Sequence, residues 1–113
     1  DFTADALPRG ADLVTLIRVL HDHDDATAAR LLTSIRSALG RGARLLIAEP
    51  MLSARGEGRF AGAYLAMYLL AMGRGRPRSP AEITAMARAA GFRRIRMLRV
   101  RTPELLRGIV AET

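Results

Sequence analysis

Hydrophobic and polar positions change period several times along the chain, and each change marks a structural element. Residues 11–20, ADLVTLIRVL, form a nearly continuous run of Leu, Val and Ile. That is the pattern of a central parallel strand buried on both faces. Asp24 then offers an N-cap, and Ala28, Leu31, Leu32, Ile35, Ala38 and Leu39 recur at helical spacing. Gly40 stands where a left-handed C-cap belongs. Residues 43–48, ARLLIA, predict a second short buried strand that stops at Glu49-Pro50, because proline cannot donate to a ladder. Strand, helix and strand within about forty residues make one right-handed βαβ unit.

The second half reads differently. Residues 53–59 are Gly-rich and polar, a loop, whereas Phe60, Tyr64, Met67, Tyr68, Leu70 and Met72 lie all round a helical wheel. Such a helix is expected to be buried on more than one side and to need a partner. Ser79-Pro80-Ala81-Glu82 combines an N-cap, a proline at the first helical position and a capping-box glutamate, so a helix is predicted over 80–90 with Gly91 ending it. In residues 92–100, apolar residues alternate with Arg, and the alternation slips at Met97-Leu98, where a β-bulge would restore it. Residues 105–111 give a last strand, joined to the previous one by a turn of about three or four residues as an antiparallel hairpin.

Composition narrows the chemistry. A chain of 113 residues supports one core and no deep two-domain cleft. The absence of Cys excludes disulfides, thiolate metal sites and cysteine nucleophiles, leaving His21 and His23 for imidazole chemistry. No basic segment precedes an apolar one at the N-terminus, and the most apolar run, 60–72, is shorter than the roughly 20 residues a bilayer crossing needs. A soluble, cytoplasmic protein is expected. Residues 1–50 hold 6 Arg and 7 acids, residues 51–113 hold 12 Arg and 4 acids, so the excess charge falls on the late loop and hairpin, away from His21 and Glu49.

The most chemical stretch is His21-Asp22-His23-Asp24-Asp25, directly after the first buried strand. Ligands of open α/β sheets bind beyond the carboxyl ends of strands, the right address for a general base. Glu49 ends the next strand, and neighbouring strands lie about 5 Å apart, so a carboxylate could fix the tautomer of His21. The plainer alternative is a satisfied loop histidine, with Asp24 or Asp25 capping the helix. Five potential ligands in five residues also suggest a metal, but two of the carboxylates serve better as caps and no distant His or Cys completes a site, so no metal is assigned. Arg74, Arg76, Arg78 and the strand arginines Arg93, Arg94, Arg96, Arg99 and Arg101 have no interleaved aromatics for base stacking, and they read as a solvated edge with no nucleic-acid partner. An Arg-rich interaction module that meets an acidic partner or nucleic acid is the non-enzymatic alternative.

Five ordered blocks also resemble a known family. Residues 20–25 (LHDHDD) are similar to the V-L-H-D-W-x-D stretch of S-adenosylmethionine-dependent O-methyltransferases of the plant caffeate and isoflavone type and their bacterial relatives. Asp1-Phe2 precedes this block, and LLIAEP at 45–50, YLLAMGRGRPRS at 68–79 and AAGF at 89–92 follow it in order. The AMGRGRPRS block with EPM at 49–51 most resembles the hydroxyneurosporene O-methyltransferases of carotenoid synthesis. The resemblance implies an α/β fold, the C-terminal half of a Rossmann-like class I methyltransferase sheet, with two parallel strands, a crossover helix, two further helices and a terminal hairpin.

It further implies that His21 is the base for the substrate hydroxyl, with Glu49 orienting it and Asp22 beside it. Asp1 and Phe2 would contact the adenine of S-adenosylmethionine, and Tyr68 and Met72 would line the pocket of a small-molecule hydroxyl acceptor, in a homodimer. Residues 1–113 would be the C-terminal portion of the catalytic domain, without the glycine-rich cofactor loop or the helical N-terminal dimerisation domain, and inactive alone. Two positions depart from the pattern: Pro77 stands where a second glutamate flanks the base, and His23 replaces a tryptophan.

Overall fold

A computed structural model describes residues 5–52, 59–102 and 106–113. In chain order the elements are β1 (Leu13–Ile17), a 3-10 turn (Leu20–Asp22), α1 (Asp25–Ala38), β2 (Arg44–Glu49), α2 (Arg59–Met72), α3 (Pro80–Ala89), β3 (Arg93–Leu98) and β4 (Arg107–Glu112). The strands form one sheet in the order β1-β2-β4-β3. β1 and β2 run parallel, and β4 is antiparallel to both β2 and β3. The last strand is thus inserted between the second and the third. No helix among the described residues is long and apolar enough to cross a membrane.

Local chemistry accounts for the helix ends. The Asp24 side chain accepts from the Thr27 N–H at 2.7 Å and starts α1. At α3 the Ser79 hydroxyl accepts from the Glu82 N–H, and the Glu82 carboxylate accepts from the Ser79 N–H at 2.8 Å, the reciprocal capping box. α1 turns Ala28, Leu31, Leu32 and Ile35 inward at helical spacing, and they meet Leu45 and Ile47 of β2, Ile109 of β4 and Ile83 and Ala87 of α3 in one core. Burying each of these larger side chains contributes about 1.5–3 kcal/mol.

Several sequence expectations change. β1 is shorter than the apolar run that contains it and is an edge of the sheet, with Leu13 and Ile17 about half exposed. An apolar run states that a strand can be buried; only its neighbours decide whether it is. Gly40 does not adopt a left-handed conformation: α1 is capped by extended Leu39, and Gly42 takes the positive φ one turn later. The bulge lies earlier than the slip in alternation, because Arg93 faces Glu112 while Arg96 faces Val110, one residue too many on β3, and Arg94 absorbs it at a φ of 45°. The β3–β4 connection is residues 99–106, longer than the short turn expected. On α2, Leu69 is buried, but Tyr64, Met67, Tyr68, Leu70 and Met72 are exposed. Apart from Phe60, whose side chain lies outside the described ones, the side chains that read as all-round burial stand open.

Candidate active site

The parallel register pairs Ile17 with Ala48 and so brings the end of β1 and the end of β2 to the same edge of the fold. Arg18 then turns sharply at a φ of 56°, its N–H donating to the Ala48 carbonyl at 2.8 Å. A left-handed arginine is strained by about 1–2 kcal/mol, and here the strain re-aims the backbone. The N–H groups of Val19 and Leu20 consequently point at Glu49 Oε1, at 2.8 and 2.7 Å. The second oxygen, Oε2, hydrogen-bonds His21 Nδ1.

Glu49 is only 2% exposed and His21 5%. A buried carboxylate is tolerable when its charge is met by donors, and Glu49 has three. Because an ionised carboxylate only accepts, Nδ1 is the donor to Glu49, and Nε2 is the ring nitrogen left for other chemistry. Asp22, half exposed, places Oδ1 3.3 Å from that nitrogen. A histidine so oriented, with one carboxylate behind it at Nδ1 and a second beside Nε2, has the geometry that general-base chemistry requires.

The rest of the H-D-H-D-D run is committed elsewhere. Asp24 caps α1, and the backbone N–H of Thr27 holds its carboxyl below the usual range. Asp25 faces two arginines, and hydrogen bonds from Arg76 and then Arg78 lower its carboxyl likewise. These pairs account for two of the five ligands that the metal alternative would require.

Arg76 and Arg78 lie against the candidate base, and this corrects the expectation that the basic loop is solvated and remote; Arg74 is exposed. Arg78 is 2% exposed. Its Nη1 donates to the Leu20 carbonyl at 2.7 Å, and its Nη2 donates to the His23 carbonyl at 2.9 Å and to Asp25 Oδ1 at 2.7 Å. Arg76 joins Asp25 to Glu82, at 3.0 and 2.7 Å. Gly75 brings the loop close: a Cβ there would fall 2.3 Å from the His21 carbonyl oxygen. The only signal in the sequence is a charge match, an acidic run opposite a loop with three arginines, with Asp25 and Arg76 51 positions apart.

His21, Asp22 and Glu49 are therefore brought together as expected. Tyr68 and Met72 lie on the exposed part of α2 and do not line the recess around His21, whose walls are Leu20, Glu49, Pro50, Arg76, Arg78 and Ile83. Asp1 and Phe2 fall outside the described residues. An apolar cleft of about 440 Å³, lined by Leu7, Val14, Leu16, Val19, Leu31 and Ile35, adjoins β1 and α1 and offers space without polar groups.

A parallel pair with its crossover helix, a reversed last strand between the second and third, and an oriented histidine at the carboxyl end define the C-terminal half of a Rossmann-like class I methyltransferase sheet. The chain belongs to the O-methyltransferase domain family, whose model matches residues 1–93. It is 41% identical over 111 residues to demethylspheroidene O-methyltransferase of Rhodobacter capsulatus, covering 98% of this chain and 28% of that protein. It is also 43% identical over 103 residues to acetylserotonin O-methyltransferase of Mus musculus, covering 91% of this chain and 26% of that one. The structure of human N-acetylserotonin methyltransferase in complex with SAM superposes with a TM-score of 0.87 at 30% identity, over 99% of this chain and 32% of that one. The chain thus spans about a quarter to a third of the length of these relatives.

Proposed function

We propose that these residues are the C-terminal portion of the catalytic domain of an enzyme that methylates a hydroxyl of a small molecule, using S-adenosylmethionine, with His21 as general base. The observation that carries the reading is the buried His21–Glu49 pair, in which one carboxylate both holds Nδ1 and ties down the backbone that presents the ring. The bound cofactor supplies an electrophilic methyl group. His21 Nε2 accepts the acceptor's hydroxyl proton, Glu49 keeps the ring in the required tautomer, and Asp22 stabilises the protonated ring. Asp1 and Phe2 belong to the cofactor side, and Tyr68 and Met72 to the acceptor pocket. Their roles rest on the family resemblance.

A hydroxylated carotenoid of the hydroxyneurosporene kind is the acceptor we favour, because a relative named for demethylspheroidene matches across nearly the whole chain. The acting form is a cytoplasmic homodimer that binds no nucleic acid. The test is incubation of the full-length chain with methyl-labelled S-adenosylmethionine and either a hydroxylated carotenoid or N-acetylserotonin. Label on the carotenoid oxygen is expected. Label on N-acetylserotonin alone would overturn the acceptor, and label on neither would overturn the activity.

A further inference from the structure

We infer that Arg78 is a positioning residue for His21, an inference that rests on His21 being the base. The peptide arc around His21 is held on both its polar sides. Its N–H groups at Val19 and Leu20 go to the carboxylate of Glu49, and its carbonyls at Leu20 and His23 go to the guanidinium of Arg78. Leu20, immediately before the histidine, is therefore held through its N–H by an anion and through its carbonyl by a cation, so the two peptide groups that flank it are both tied.

Arg78 is itself fixed. Its Nε and Nη2 both reach Asp25 Oδ1, at 3.0 and 2.7 Å, in the first turn of α1, and Arg76 grips the other oxygen of Asp25 while reaching Glu82 in the first turn of α3. Gly75 presses the same loop onto the His21 carbonyl. The guanidinium hydrogen bonds of Arg78 all fall on residues 20–25, while its backbone carbonyl accepts from the Leu52 N–H at 3.0 Å. The planar fork spans two carbonyls and a carboxylate at once, which the point charge of a lysine cannot do. Without it the Leu20 carbonyl keeps only the His23 N–H at 3.2 Å, the His23 carbonyl loses the guanidinium, and the arc can relax, moving Nε2 relative to the acceptor oxygen. Arg78 touches no reacting atom, so its effect passes through the ring it holds.

The test is a double-variant cycle in the full-length chain, combining Arg78→Met and Arg78→Lys with His21→Ala, reading kcat and KM separately. Misplacing a catalytic group by about 1 Å costs on the order of 100-fold, so Arg78→Met is expected to lower kcat by that order with KM changed by less than about threefold. Arg78→Lys is expected to recover part of it. In the His21→Ala background neither substitution is expected to cost anything further, because the base they position is gone. Should Arg78→Met not fold, Arg78→Lys decides by the same cycle. A kcat loss as large without His21 as with it overturns the inference while leaving the base in place, as does a wild-type kcat in Arg78→Met. A His21→Ala chain as fast as the wild type removes the base reading itself, and the inference falls with it.

Discussion

Replacing Glu49 by glutamine exchanges one oxygen for an amide nitrogen and leaves the side-chain volume almost unchanged. The amide oxygen can still accept from the Val19 and Leu20 N–H groups, as Oε1 does at 2.8 and 2.7 Å. The amide nitrogen, however, donates toward His21 Nδ1, where the carboxylate accepted. The imidazole must then carry its proton on Nε2 and loses the lone pair that would take the hydroxyl proton. Stability should fall by only about 1–2 kcal/mol, the difference between charge-assisted and neutral hydrogen bonds. The methyl-transfer rate should fall by the whole contribution of a general base, on the order of 10²–10⁴. Glu49→Ala separates the two effects from the other side. It leaves the Leu20 N–H and His21 Nδ1 as buried donors without partners, at about 1–3 kcal/mol each, and the part-buried Val19 N–H as a third, so a loss of about 3–6 kcal/mol is expected. Denaturant unfolding and single-turnover kinetics on the full-length chain measure both quantities. Equal unfolding midpoints for the two variants, or a wild-type rate in Glu49→Gln, would refute this account of the carboxylate.

Three further outcomes follow from the same geometry. Gly75→Ala should cost more than about 2 kcal/mol, since both a positive φ and a backbone clash oppose it, whereas Gly42→Ala, with positive φ but open space, should cost about 1 kcal/mol; equal costs in thermal unfolding would mean that the loop does not press on His21. Glu82 is held at about 2, against an ordinary 4.5, first by the Ser79 N–H and then by Arg76, and Asp25 is lowered by Arg76 and Arg78. Carboxyls depressed in the folded state stabilise it fully above their unfolded value, so stability should decline as pH falls from 4.5 toward about 2. Glu82→Gln should flatten that decline, and an unchanged slope would contradict the capping-box assignment. Arg18→Gly should raise stability by up to about 1 kcal/mol by relieving the left-handed turn, and a lower unfolding midpoint would show that the arginine is not strained there.

The features legible in the sequence were those whose chemistry is local. Ser79, Pro80 and Glu82 lie within four residues, and the capping box they spell is present as expected. The strand–helix–strand unit is legible because apolar periodicity is local as well, and it places His21 and Glu49 at the same edge. What failed was whatever depended on neighbours distant in the chain. The letters of β1 and α2 do not say which faces are covered within a chain that spans about a quarter to a third of its relatives, and Leu13, Ile17, Met67 and Leu70 are exposed there. Arg78 looked like one more surface cation among the 18 Arg, yet its partners lie 53–58 residues earlier. A slip in alternation showed that β3 must bulge but not where, since Arg94 could absorb the extra residue ahead of the slip.

The central claim is that His21 removes the proton from the acceptor hydroxyl. Single-turnover methyl transfer by the full-length chain carrying His21→Gln, at saturating cofactor and acceptor, tests it most directly. The account predicts a folded chain that still binds both ligands and transfers the methyl group on the order of 10²–10⁴ times more slowly. Transfer within about threefold of the wild-type rate would contradict it.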